Sequence, residues 1–157
     1  MQKCSYVFDS PIGKLFLAES DGALSDLSFC PVSNSIYKET PILALTAQML
    51  REYFDGQRRE FDIELNLEGT EFQVRAWNAL CTIPYGETRS YKEQAATVGN
   101  AKAFRAVGAA NRKNPISIIV PCHRVIGSSG ALVGYGCGLD KKQALLCLER
   151  EFSALNR

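Results

Sequence analysis

Short apolar runs separated by turn residues begin the chain. The runs at residues 6–8, 15–18 and 24–29 are divided by turn-forming residues at 10–13 and 21–22, which predicts a β-meander. Apolar residues then recur at helical spacing from 42 to 54 and stop at Gly56, which predicts one amphipathic helix. Alternation over residues 61–65 predicts one more strand before a turn at Gly69.

The remainder of the chain has the start and stop signals of helices. Residues 70–73 and 90–93 have the T-x-x-Q and S-x-x-E forms of a capping box, and each should begin a helix. Gly99 should end the second of these helices, and Asn100 can cap a third that runs from 101 to about 111. Two short helices across a glycine-containing turn predict a helix-turn-helix. The β-branched run at 116–120 predicts a buried strand.

These patterns predict an α+β fold in two parts. Residues 1–68 should form an N-terminal α/β structural lobe with a small antiparallel sheet and one helix. Residues 69–157 should form a mostly helical C-terminal domain that contains the helix-turn-helix.

Charge divides the chain at the same place. Residues 1–68 carry 6 Lys and Arg against 11 Asp and Glu, whereas residues 69–157 carry 12 against 6. The second part is therefore the candidate for binding an anionic partner, although such an imbalance also arises by chance.

Composition excludes several classes of protein. Neither a secretory signal nor a membrane-spanning run is found, so we expect a cytoplasmic protein, or a nuclear one in a eukaryote. The six cysteines are scattered and should be thiols. With one histidine and no C-x-x-C pair, we expect no metal site, and no motif indicates a nucleotide cofactor.

The predicted helix at 101–112 is poor in bulky side chains and rich in cations. Lys102, Arg105, Arg112 and Lys113 accompany its alanines and glycine. Cations bind phosphates and a narrow helix can enter a groove, so nucleic acid is one partner that explains this composition. A helix packed tightly inside the protein explains the small residues equally well.

Cys122 interrupts an apolar segment beside the only histidine, His123, and close to Arg124. Positive groups near a thiol favour the thiolate, which is the nucleophilic form. A buried and inert thiol is the alternative at this point.

The sequence 121–125, Pro-Cys-His-Arg-Val, resembles the active-site signature of the O6-alkylguanine-DNA alkyltransferases, also called methylated-DNA–protein-cysteine methyltransferases. The resemblance runs from about Phe72 to Glu149 in the family's order and at about its spacing, through Tyr85-Gly86-Glu87, Ser90-Tyr91, Arg105-Ala106-Val107-Gly108, Asn114-Pro115, Gly134-Tyr135 and Leu145-Leu146. An acidic α/β lobe before it fits the variable N-terminal domain of that family.

The resemblance implies roles for five catalytic residues. Cys122 is the nucleophile, His123 accepts its proton through an ordered water, and Glu149 orients His123. Tyr91 donates towards the N3 side of guanine as charge develops, and Asn114 supports the thiolate region. The implied reaction is DNA repair: irreversible transfer of one methyl group from O6 of guanine to the cysteine, with larger alkyl groups left open and no cofactor.

The same resemblance implies how double-stranded DNA containing O6-alkylguanine is bound. The small-residue helix enters the minor groove, and Arg105 fills the space that the flipped nucleotide leaves. The implied DNA-binding residues are Ser90, Lys102, Arg105, Ala106, Gly108 and Arg112, and the implied base-pocket residues are Val125, Gly134, Tyr135 and Gly136. We expect a monomer with no obligate protein partner.

Two residues depart from the family pattern. Cys137 stands where glycine is common, and Ser117 stands where some members have proline; either could reshape the pocket rim.

Two other functions stay open. A noncatalytic DNA-binding regulator would not need Cys122, and a thiol hydrolase would turn over a small acyl substrate. Adjacent residues rarely face each other in an extended segment, which disfavours direct Cys122–His123 pairing in a hydrolase.

Overall fold

A computed structural model describes residues 2–130, 135 and 138–155 of the chain. It contains two compact units, Met1–Glu68 and Gly69–Arg157. The elements confirm the expected α+β class: strands dominate the first unit and helices dominate the second.

A four-stranded sheet forms the first unit. β1 (Lys3–Ser10), β2 (Gly13–Ser20) and β3 (Ala23–Ser28) pair antiparallel as the expected meander. At the β2–β3 turn Asp21 and Gly22 have φ of 55° and 79°, the positive values that suit a two-residue hairpin. β4 (Ser35–Tyr37) then pairs with β1 in parallel, so the sheet is mixed, and the antiparallel expectation missed this one strand.

Helix α1 (Pro41–Phe54) supplies the apolar face that the helical spacing predicted. Its buried residues include Leu43, Leu50 and Tyr53, and α1 contacts β1, β2 and β3. The strand expected over residues 61–65 is wrong: this segment makes a single parallel bridge, from Leu65 to Leu24. A strand there would have required a ladder, whereas only the backbone bonds around Leu24 form.

The described residues of the second unit include four α-helices: α2 (Glu71–Leu80), α3 (Tyr91–Val98), α4 (Phe104–Arg112) and α5 (Leu139–Leu155). Both predicted capping boxes are present, on Thr70 with Gln73 and on Ser90 with Glu93. Gly99 ends α3 at φ 113°, a conformation that glycine adopts without strain. A short 3-10 turn, Ala101–Ala103, comes between it and α4, so the predicted helix-turn-helix is confirmed.

The buried strand predicted for residues 116–120 is wrong. Ile116 makes an isolated bridge, residues 117–120 form turns and a bend, all five are buried, and Ile118 has a φ of 73°. Burial explains the apolar run without an extended strand. Two short strands, β5 (Arg89–Ser90) and β6 (Val125–Ile126), pair in parallel on either side of this loop in sequence. In the described part of the chain, every helix is too short or too polar to cross a bilayer.

Candidate active site

Cys122 begins a single 3-10 turn, Cys122–Arg124, that connects the buried loop to β6. Asn114 closes that loop at both ends: its Nδ2 donates to the Val120 carbonyl at 2.7 Å, and its Oδ1 accepts from the Ile116 amide at 3.0 Å. The Ile118 backbone is unfavourable for a β-branched residue, so the surrounding contacts must hold it. The loop thereby presents the thiol from a fixed backbone.

Glu149, on the buried side of α5, binds two residues that follow the thiol. Its Oε2 lies 2.7 Å from His123 Nε2, and its two oxygens accept from Arg124 Nε at 2.8 Å and Nη2 at 3.0 Å. The Gly86 amide donates to Oε1 at 3.3 Å, and Arg124 Nη1 donates to the Ile83 carbonyl at 2.7 Å. His123, Arg124 and Glu149 are 0%, 6% and 1% exposed, so this is a buried ion-pair network.

Electrostatics fixes the protonation of this network. Burial raises the pKa of the Glu149 carboxyl, but His123 and Arg124 together outweigh burial and hold that pKa well below its usual range. Burial lowers the pKa of His123 and prevails over the raising effect of Glu149, so the imidazole is neutral at neutral pH. An ionised carboxylate only accepts hydrogen bonds. His123 Nε2 must therefore carry the proton, which leaves Nδ1 as the basic nitrogen.

Nδ1 of His123 is also the ring nitrogen that is free to act. It is buried and has no hydrogen-bond partner among the residues that the structure describes. Because the opposite nitrogen is bound to Glu149, the ring cannot rotate without losing that bond. The arrangement can accept a proton at one defined atom.

Lys142 brings a second buried cation to the site. Its side chain is fully buried, and its Nζ lies 5.8 Å from the centre of the Tyr91 ring. Burial lowers the pKa of Lys142 to about 8, although the charge of Cys122 opposes that shift. Burial, followed by the charge of Cys122, raises the pKa of Tyr91. The Tyr91 hydroxyl therefore keeps its proton at neutral pH and can donate it.

The predicted DNA-binding residues lie on or before α3 and α4. Lys102, Arg105, Ala106 and Arg112 are exposed, while Ser90 is half-buried and caps α3. A cavity of about 460 Å³ lies beside this surface, lined by Tyr91, Lys92, Phe104, Arg105, Gly108, Arg112, Gly127 and Ser128. A Cβ atom on Gly108 would lie 3.6 Å from the Tyr91 ring, an ordinary van der Waals distance, so Gly108 on α4 lies next to Tyr91 on α3.

The predicted pocket residues are only partly described. Val125 is fully buried in β6, and Tyr135 is half-buried, with its carbonyl accepting from the Gly138 amide at 3.0 Å. Gly134, Gly136 and the departure at Cys137 lie outside the described residues. Ser117, the other departure, is buried in the loop that Asn114 closes. The described residues hold no cluster of His, Cys, Asp and Glu that could bind a metal ion.

Sequence reasoning missed the contacts of Arg124 and the burial of Lys142. For Lys142 a signal was present: with Leu145, Leu146 and Glu149 it forms an i, i+3, i+4, i+7 stripe, which is the buried face of α5. A lysine and a glutamate on such a stripe indicate a buried charged site. For Arg124 the only signal was its place beside the thiol, which does not identify Glu149 as its partner.

Comparisons with known proteins agree on one family. Residues 4–67 match the ribonuclease-like domain, and residues 71–151 match the DNA binding domain, of 6-O-methylguanine DNA methyltransferase. A methylated-DNA–protein-cysteine methyltransferase of Mycolicibacterium paratuberculosis is 55% identical over 150 residues, covering 92% of this chain and 91% of that protein. One from Methanosarcina barkeri is 48% identical over 149 residues, covering 91% and 94%.

A solved structure matches over nearly the full length. The crystal structure of Mycobacterium tuberculosis OGT in complex with DNA gives a TM-score of 0.89 at 49% identity, covering 95% of this chain and 94% of that one.

The buried amine of Lys142 should make stability depend on pH. Between pH 8 and about 10.4, the usual pKa of lysine, the unfolded chain holds this proton while part of the folded protein has lost it. The unfolded state then binds more protons, so the free energy of unfolding contributed by Lys142 rises with pH. Relative to Lys142→Met, the wild type should gain stability from pH 7 to pH 10, measured by urea unfolding.

Lys141→Met is the matched control, because this neighbour is only half-buried. Any pH dependence of its stability difference from wild type is subtracted from that of Lys142→Met. A constant difference for Lys142→Met after this subtraction would contradict the lowered pKa.

Proposed function

The chain belongs to the 6-O-methylguanine DNA methyltransferase family, and from this premise we propose how its own residues carry out the reaction. Its activity is that of a methylated-DNA–protein-cysteine methyltransferase, which repairs DNA by transferring an alkyl group to a cysteine. We therefore set aside the two alternatives, a noncatalytic DNA-binding regulator and a thiol hydrolase. The cysteine that we assign as acceptor is Cys122.

One observation supports this assignment above the others. Among the cysteines whose surroundings are described, Cys122 is the one that directly precedes the histidine. Nε2 of that buried histidine lies 2.7 Å from the buried, ionised carboxylate of Glu149. That arrangement orients a base beside a nucleophile, as in other nucleophile–base–acid systems. Cys30 and Cys81 are exposed, and neither is adjacent to the histidine.

We propose that Nδ1 of His123 receives the Cys122 proton through a bridging water. Glu149 supports this step by fixing the proton on Nε2 and by stabilising the imidazolium once it forms. Lys142 adds a positive charge that favours the thiolate, since attraction between Lys142 and Cys122 acts on both groups. Arg124 holds Glu149 in place and keeps it ionised when His123 gains its charge.

The transfer itself is a displacement at carbon. The Cys122 sulfur forms a bond to the alkyl carbon as the bond from that carbon to O6 breaks, and the electron pair of that bond leaves with guanine. We assign Tyr91 as the hydrogen-bond donor that stabilises the negative charge developing on the N3 side of the departing guanine, because its raised pKa keeps the hydroxyl protonated. No oxidant or cofactor enters this balance.

DNA reaches the site through the surface formed by α3 and α4. This surface carries both cations and small residues, and Arg105 and Arg112 both border the cavity of about 460 Å³. Such a surface suits phosphate contacts and a close approach in the minor groove, with little reading of base sequence. We propose that the damaged nucleotide rotates out of the duplex into the site and that Arg105 occupies the gap in the stack.

We propose one transfer per molecule, because a thioether on Cys122 has no good leaving group and returns no thiol. Residues 69–157 carry both the chemistry and the DNA contacts, and we assign residues 1–68 a structural role. All the assigned residues lie in one chain, so a monomer suffices. The place of action is wherever the cell holds its DNA: the cytoplasm in a prokaryote, the nucleus in a eukaryote.

Intact-protein mass tests the acceptor and the stoichiometry together. After incubation with excess duplex DNA carrying O6-methylguanine, the wild type should gain the mass of one CH₂, since a methyl replaces the thiol hydrogen. Cys122→Ser should gain nothing. Cys81→Ser, which removes an exposed cysteine of the same unit, should gain the same mass as wild type.

Three results would contradict these proposals. A mass gain in Cys122→Ser would place the acceptor elsewhere, and demethylation of more DNA than protein present would rule out single transfer. No gain in folded wild type would reject the proposed reaction.

Arg105→Ala tests nucleotide flipping. With duplex DNA the maximal single-turnover rate should fall by roughly tenfold or more, equivalent to at least about 1.4 kcal/mol, because nothing then fills the gap in the stack. With O6-methylguanine in a single strand, where no stack must be opened, the loss should be much smaller. The measurement is quench-flow transfer from labelled DNA.

Arg75→Ala provides the matched control, since Arg75 is an exposed arginine on α2 that does not border the cavity. It should react as wild type with both substrates. Equal losses for Arg105→Ala on duplex and single strand would argue for simple phosphate binding instead of flipping.

A further inference from the structure

Two buried carboxamides join α3 to α4. Gln94 Nε2 donates to Asn111 Oδ1 at 2.9 Å, and Asn111 Nδ2 donates to Gln94 Oε1 at 2.8 Å. Gln94 Nε2 also donates to the Ala76 carbonyl of α2 at 3.1 Å. Gln94 is 2% exposed and Asn111 is 7% exposed, so the pair lies inside the helical unit.

Burying polar side chains in a core costs free energy, because the polar groups lose their contacts with water. Each amide loses its water on burial, and its hydrogen bonds to the partner largely compensate that loss without exceeding it by much. Apolar residues of similar size would fill the same space with no such requirement. What the amide pair adds is direction, because two reciprocal bonds form at only one distance and angle between the helices.

The position of the pair connects it to the reactive surface. Gln94 follows Tyr91 by three residues on α3, and Asn111 follows Gly108 by three residues on α4. Tyr91 and Gly108 lie next to each other, since a Cβ added to Gly108 would be 3.6 Å from the Tyr91 ring, and both line the cavity of about 460 Å³. The amide pair therefore lies within about one helical turn of the contact between the two cavity walls.

Asn111 also connects α4 to the loop that leads to the thiol. Its carbonyl accepts from the Asn114 amide at 3.2 Å, and Asn114 closes that loop through its side chain. On the other side, Trp77 Nε1 of α2 donates to the carbonyl of Ala110, the residue before Asn111, at 2.8 Å. The end of α4 is thus held from α2, from α3 and from the active-site loop.

We propose that the Gln94–Asn111 pair is a positioning device for the reaction with DNA. It holds Tyr91 on α3 at a fixed separation from Arg105 and Arg112 on α4. A nucleotide that enters between them is thereby positioned against both the Tyr91 hydroxyl and the Cys122 thiol. Gln94 and Asn111 touch neither DNA nor the reacting atoms. This inference rests on the proposed function, because it concerns the geometry in which DNA is bound.

The test replaces the pair with apolar residues of similar shape, Gln94→Met with Asn111→Leu. The variant should unfold at the same urea concentration as wild type or a higher one. Its maximal single-turnover rate of methyl transfer from duplex DNA should fall by roughly tenfold or more, because small displacements of reacting groups are costly. The swapped variant, Gln94→Asn with Asn111→Gln, keeps two amides and should recover most of the rate.

A second readout separates positioning from general damage to the site. Alkylation of Cys122 by iodoacetamide without DNA, followed by peptide mass spectrometry, reports on the thiol and its base alone. Its rate in the apolar variant should stay within roughly twofold of wild type, since the Glu149 network is unchanged. Leu80→Ala, a core truncation in α2, controls for lost stability and should transfer at the wild-type rate while it is folded.

The outcomes decide between positioning and ordinary packing. Wild-type transfer by the apolar variant, or equal losses of transfer and alkylation, would overturn the inference. If that variant does not fold, Asn111→Ala is put through the same assays with the same criteria. If the wild type transfers no methyl group from DNA, the proposed function itself fails, which is a different result from an unaffected variant.

Discussion

Glu149 places a negative charge inside the helical unit, where an unpaired carboxylate would cost several kcal/mol. Its contacts to His123 and Arg124 are therefore obligatory for the fold, and they also determine the chemistry. Arg124 keeps the carboxylate ionised, and the ionised carboxylate determines which nitrogen of His123 holds the proton. One buried interaction thus connects stability of the fold to the reactivity of the neighbouring cysteine.

The rest of the helical unit surrounds this local arrangement. α5 places Glu149 and Lys142 on one buried stripe, while α3 and α4 carry Tyr91 and the exposed cations that we propose as the groups that meet DNA. Gly108 of α4 lies next to the Tyr91 ring of α3, and we propose that the small residues of α4 also let DNA approach closely. Buried polar bonds connect α4 to α3 and to α2.

Local signals predicted most of the helices, whereas contacts between distant residues stayed out of reach. The capping box at residues 70–73 and the helix-turn-helix were found because their determinants lie within a few residues of one another. The sequence did not predict strand β4, because its partner β1 is about thirty residues away. The run at 116–120 was wrongly predicted as a strand, because a fully buried segment lacks the alternation of apolar and polar residues that distinguishes a strand from a loop. The resemblance named Cys122 and Glu149, but the ion pair of Arg124 depends on tertiary packing alone.

We infer that Glu149 holds His123 as the tautomer protonated on Nε2, with Nδ1 as the base. Because the chain has a single histidine, its ¹⁵N resonances can be assigned to one residue without ambiguity. Long-range ¹H–¹⁵N NMR of the unmodified protein at neutral pH should show Nε2 as the protonated nitrogen and Nδ1 as unprotonated, and Glu149→Gln should weaken that preference. A proton on Nδ1, or a doubly protonated ring at pH 7, would contradict the account.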